Sequence, residues 1–156
     1  MRHRITPLFL FVALACATDT TAPEGDVAFD RIDGAAAGGR SLMVELSGDQ
    51  EVPPRNTPAT GTLYATLNPG RGELCYVLTA QDLLGSLTGS HIHRAPAGTN
   101  GPVVVPLLVP EGGSSTDCVA VDRELLLEIL RAPEAFYVNV HTTTYPAGEI
   151  RAQLHW

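Results

Sequence analysis

With 156 residues, 44% of them hydrophobic and 17% charged, the chain suits one globular domain with a two-layer core and is too apolar for a disordered polypeptide. Its basic residues are all arginine, and with 17 acidic residues the formal charge is -7. Such a balance repels phosphate backbones, which argues against a nucleic-acid partner, and the acidic residues are too scattered to form an interaction tail.

Residues 1–16, MRHRITPLFLFVALAC, have the layout of an export signal: Arg2, His3 and Arg4 are basic, and Ile5 to Ala15 are apolar. That stretch is shorter than the roughly 20 residues of a membrane-spanning helix and fits the apolar core of a signal peptide. The run Val12-Ala13-Leu14-Ala15-Cys16 resembles a lipobox, in which small or apolar residues precede a cysteine that is acylated and becomes the new N-terminus. The expectation is a lipoprotein signal peptide over residues 1–15, lipidation at Cys16, and a cell-envelope location with the membrane as partner through the lipid. An ordinary secretory signal, leaving Cys16 a plain thiol, is the alternative. Ala17 stands where an aspartate is associated with inner-membrane retention in Gram-negative bacteria, which favours the outer membrane or cell surface. Residues 17–40 are rich in Ala, Gly, Thr and Asp without sustained periodicity, so residues 16–40 read as the lipidated cysteine and a flexible tether.

From Ser41 onward, short apolar runs alternate with turn residues, and residues 41–156 read as one β domain. Leu42–Leu46 is a first strand, broken by Gly48-Asp49 and Pro53-Pro54. Thr62–Leu67 alternates polar and apolar residues, as a half-buried strand does; Asn68-Pro69-Gly70 makes a turn; and Glu73–Thr79 completes a hairpin. Ser90–Arg94, Val103–Val109, Thr116–Val121, Ala135–Thr142 and Glu149–His155 are the later strands, Pro106 marking an edge or a bulge. One short helix lies near 122–131, with Asp122 as N-cap, Glu124 at its positive end and Pro133 beyond its stop. The fold class is therefore all-β: an antiparallel β-sandwich or barrel of about seven or eight strands with one helix.

Cys75 and Cys118 both fall in apolar, strand-like segments. In an oxidising compartment such a pair forms a disulfide, closing a long loop and stabilising by roughly 4 kcal/mol on chain-entropy reasoning. Two separate buried thiols are the alternative.

Three stretches resemble a known family. Leu46-Ser47-Gly48-Asp49-Gln50-Glu51-Val52-Pro53-Pro54 with Ala59-Thr60-Gly61-Thr62 is similar to the opening of a CHRD (chordin-type) domain. His91-Ile92-His93 leading to Asn100-Gly101-Pro102-Val103-Val104 resembles its centre. Tyr137-Val138-Asn139-Val140-His141-Thr142, then Pro146 to Leu154, resembles its end. The resemblance implies an extracytoplasmic β domain. In animals such domains occur in chordin, a secreted protein that binds growth factors; the bacterial relatives are mostly small secreted or anchored proteins whose activity the resemblance leaves open.

His91 and His93 are two apart on a predicted strand, so their side chains leave one face; His141 lies on another strand with Asn139 on its face. If those strands adjoin, three imidazoles converge, a donor set suited to copper or zinc with a coordination position left open. Copper leads zinc, since an all-histidine site in an envelope protein resembles known copper sites. The competing reading makes the histidines a structural polar network in a protein- or glycan-binding module. His155 is a conceivable fourth ligand. Glu149 and Arg151 share a strand face and can pair across strands, and Glu51 is either a loop anchor or a surface residue. No G-x-S-x-G, P-loop or Ser/His/Asp spacing is present, so nothing here establishes catalysis.

Overall fold

A computed structural model of the chain describes residues 39–156. The expected signal peptide, the lipidation site Cys16 and the tether up to residue 38 lie outside the described residues. Eight strands form a single antiparallel sheet: β1 (Arg40–Ser47), β2 (Thr60–Asn68), β3 (Glu73–Gln81), β4 (Leu87–Arg94), β5 (Val103–Leu107), β6 (Ser114–Ala120), β7 (Phe136–Thr142) and β8 (Ile150–Gln153). One helix, α1 (Arg123–Arg131), lies between β6 and β7. The strand order is β5-β4-β7-β8-β1-β2-β3-β6.

The sheet curls into a nearly closed barrel. Its two halves, β5-β4-β7-β8 and β1-β2-β3-β6, meet where Ser47 of β1 pairs with Arg151 of β8. The outer edges approach through the segment after β5: the Leu108 amide donates to the Tyr76 hydroxyl at 2.7 Å, and the Ser115 hydroxyl donates to the Leu108 carbonyl at 2.8 Å. β5 is an edge strand, the setting that tolerates Pro106.

Strict two-residue alternation builds the core. Leu42, Val44 and Leu46 of β1, Leu63, Ala65 and Leu67 of β2, Leu74, Tyr76 and Leu78 of β3, Ile92 of β4, and Val138 and Val140 of β7 are all buried in one cluster. α1 adds Leu126 and Ile129 to it and packs against β2 and β3. Asp122 caps the helix, its side chain accepting from the Glu124 and Leu125 amides. Cys75 and Cys118 face each other across the β3–β6 ladder and form a disulfide, with Cα atoms 3.9 Å apart. No described helix is long and apolar enough to cross a membrane.

Candidate metal centre

β4 and β7 are neighbours, and their register sets Gly89 opposite His141, His91 opposite Asn139 and His93 opposite Tyr137. Because Ile92, Val138 and Val140 point into the core, alternation sends His91, His93, Tyr137, Asn139 and His141 to the outer face of the same half-sheet. There the three imidazoles converge: ring centroids are 5.1 Å apart for His91–His141, 5.6 Å for His91–His93 and 6.0 Å for His93–His141. One ligand atom from each ring lies within 4.8 Å of the other two. A metal with bonds of about 2.0–2.1 Å holds its nitrogens within about 4 Å of one another, so a slight inward turn of the rings completes the site. Gly89 makes the space, since a Cβ there would sit 2.8 Å from Cε1 of His91.

The backbone fixes which nitrogens are free. His93 Nδ1 lies 2.9 Å from the Gly101 carbonyl and His141 Nδ1 lies 3.0 Å from the Pro146 carbonyl. A carbonyl only accepts, so both Nδ1 atoms carry the proton and both Nε2 atoms are left as lone pairs. This pairing of one ring nitrogen with a backbone carbonyl is how ligating histidines are held. His141 Nε2 lies 2.9 Å from Oδ1 of Asn139. His91 Nδ1 and His93 Nε2 are buried and make no well-formed hydrogen bond, although the Asn139 side chain stands close enough to His93 to favour its protonated form.

The outer face is not solvent-facing, as a simple alternating strand would make it. The segments 48–59 and 95–102 fold over it, and a second, polar layer is buried between them and the sheet. Arg151 is 1% exposed; its guanidinium donates to the Thr99 and Pro96 carbonyls and to Asn100 Oδ1. The same group lies 3.4 Å over the Tyr137 ring, whose other neighbour is His93, stacked at 4.7 Å and nearly parallel. Asn100 joins the two covering segments by donating to the Val52 carbonyl at 2.8 Å.

Glu149 and Arg151, expected to share a strand face from which they can pair across strands, are buried and form no ion pair among the described residues. Glu149 precedes β8 and is fully buried. It accepts from Thr57 Oγ1 at 2.6 Å, the Leu84 amide at 2.9 Å and Thr142 Oγ1 at 2.7 Å. Glu51 is a loop anchor, only 3% exposed, with Asn139 Nδ2 at 3.5 Å. His155 is exposed and lies outside the histidine cluster, beside Met43 and Glu45, which removes it as a fourth ligand. Tyr137 and Asn100 stood in the sequence motifs without a role; a position facing outward on a strand gives no local sign that a distant loop will cover it.

Burial lowers the proton affinity of all three histidines. His91 is pushed down by burial and then by its two histidine neighbours. For His93 and His141, burial is the largest influence, opposed by the Gly101 and Pro146 carbonyls respectively. Burial raises Glu51 above the usual carboxylate range, against the pull of Arg151 and Asn139. The result is a cluster of imidazoles held toward the neutral form, which is the protonation state a transition metal requires.

A family model described as CHRD domain matches residues 42–154. No match to a curated protein or to a solved structure was found.

Proposed function

The chain belongs to the CHRD domain family, and from that footing we propose that it is an extracytoplasmic binding module, anchored in the cell envelope by a lipid on Cys16, whose ligand is copper or zinc. His91, His93 and His141 are the protein ligands. The observation that carries the reading is the pair of buried nitrogens without a well-formed hydrogen bond, His91 Nδ1 and His93 Nε2, turned into a cluster whose ligand atoms lie within 4.8 Å. Buried polar atoms in folded proteins are almost always satisfied, and a cation satisfies both at once. Among divalent ions, copper binds nitrogen sites more tightly than zinc.

The deciding measurement is metal content and affinity on protein purified without a histidine tag. One equivalent of copper or zinc per chain is expected, and His93→Ala and His141→Ala each lose most of the affinity. Unchanged binding in both variants refutes the site.

The second reading, a module that docks a protein or glycan while the histidines are structural, draws on a groove of about 630 Å³, of mixed polar and apolar lining, between β1–β3 and the Glu111–Gly113 turn. Glu45, Gln50, Thr60, Gln81 and Ser114 line it. Its lining lacks the aromatic side chains on which sugar rings stack, so the histidine cluster stands first.

A further inference from the structure

We infer that Asn139 supplies a fourth ligand: its Oδ1 joins His91, His93 and His141 around the ion, and Glu51 holds the amide with the oxygen forward. This rests on the three-histidine reading above and extends it to the complete ligand set.

The first observation is a mismatch. His141 uses its Nδ1 proton on the Pro146 carbonyl, so Nε2 presents a lone pair. Its neighbour at 2.9 Å is Asn139 Oδ1, which presents lone pairs as well. As placed, these two acceptors have no proton between them, so the contact calls either for the amide turned over, its NH2 donating to Nε2, or for a cation between the two. A shared cation turns the clash into two bonds. The spacing is close to both geometries: ligands with bonds of about 2.0–2.1 Å stand about 2.9 Å apart at the right angles of tetragonal Cu(II) and about 3.3 Å apart around tetrahedral Zn(II).

The second observation favours the oxygen as the inward end of the amide. Asn139 Nδ2 points to Glu51 Oε1 at 3.5 Å, a carboxylate that is 3% exposed. Turning the amide over would set its oxygen against that carboxylate. Gly148, with φ +121°, keeps the contact open, because a Cβ there would collide with both Glu51 Oε1 and Asn139 Nδ2. Asn139 itself is 1% exposed and sits on β7 between His141 and the stacked Tyr137, directly opposite His91. It therefore faces the cluster from the centre of the sheet.

The set becomes three imidazole nitrogens and one amide oxygen. An oxygen donor is harder than imidazole, so this set favours divalent ions, Cu(II) and Zn(II), over Cu(I). All four ligands are neutral, and Glu51 stands behind Asn139 on the amide's nitrogen side.

The test is a crystal structure of the wild-type protein loaded with Zn(II), with affinities for Zn(II) measured on two variants. Oδ1 of Asn139 within about 2.0–2.2 Å of the zinc supports the inference. Zinc on three histidines with water in the fourth place overturns it while leaving the metal centre intact. No zinc on the histidines in zinc-saturated crystals removes the metal centre and this inference together. Asn139→Ala is expected to weaken Zn(II) binding about 10–100-fold and to change the electron paramagnetic resonance signal of bound Cu(II). Asn139→Asp, which keeps an oxygen in the same place, is expected to recover the affinity. Equal losses in both folded variants, checked by circular dichroism, overturn the ligand role.

Discussion

His91, His93 and His141 are held neutral by burial, and that has a measurable consequence for the metal-free protein. Their folded pKa values lie below the unfolded value near 6.5. The unfolded chain therefore takes up protons first as pH falls. The stability these groups contribute is complete above about pH 6.5 and is lost as pH drops through their folded values. Glu51 works in the opposite sense: its raised pKa contributes stability that is lost as pH rises from 4.5 through the folded value. Comparing variants isolates the histidines. Between pH 7.5 and 5, the melting temperature of metal-free wild type is expected to fall further than that of a His91→Gln/His93→Gln double variant; equal falls would show that the imidazoles are not the acid-sensitive groups. At this scale the sequence was legible where a motif and a strand period coincided, as for His91 and His93. It was illegible for Glu149, Arg151 and Glu51, because their burial depends on loops that close from elsewhere. An outward strand position with a charged residue reads as solvent-facing until a covering segment such as 95–102 is known.

Strands and helix emerged within a few residues of their expected bounds, since each rests on a local signal: alternation for β1 to β8, and Asp122 with Pro133 for α1. The order of strands did not, because pairing β7 between β4 and β8 is a non-local event with no local signature. The hairpin β2–β3 was the exception, its turn being encoded by Asn68-Pro69-Gly70. The disulfide acts on one of the two edge strands. β6 lies at the edge of the sheet and is nowhere fully buried, yet Cys118 ties its middle to the fully buried Cys75. A Cys75→Ser/Cys118→Ser variant is expected to lose about 4 kcal/mol of stability in urea titration, with amide exchange rising first along β6. Unchanged stability would mean that the backbone ladder alone holds the strand.

Taken as a whole, the domain has polarity along its strands. The chain enters β1 at Arg40, and the pairings Ser47–Arg151, Arg151–Asn139 and Asn139–His91 run across the sheet as one row. The histidine cluster thus lies at the level of the far end of β1, about 20–25 Å along the strand from the point of entry. Cys16→Ser is expected to move the protein from the membrane fraction to the soluble one, with metal content unchanged; a wild-type protein that is already soluble and carries an unmodified N-terminus rules out the anchor. β7 carries a further constraint. Its odd and even residues belong to different chemical layers, Phe136, Val138 and Val140 to the apolar interior and Tyr137, Asn139 and His141 to the polar cover. A one-residue insertion or deletion inside it would exchange the layers wholesale, forcing imidazole and amide into the core and valine under the loops. Related chains can therefore vary β7 in spelling but not in length: between Phe136 and Thr142, alignments of its family should contain substitutions and no gaps.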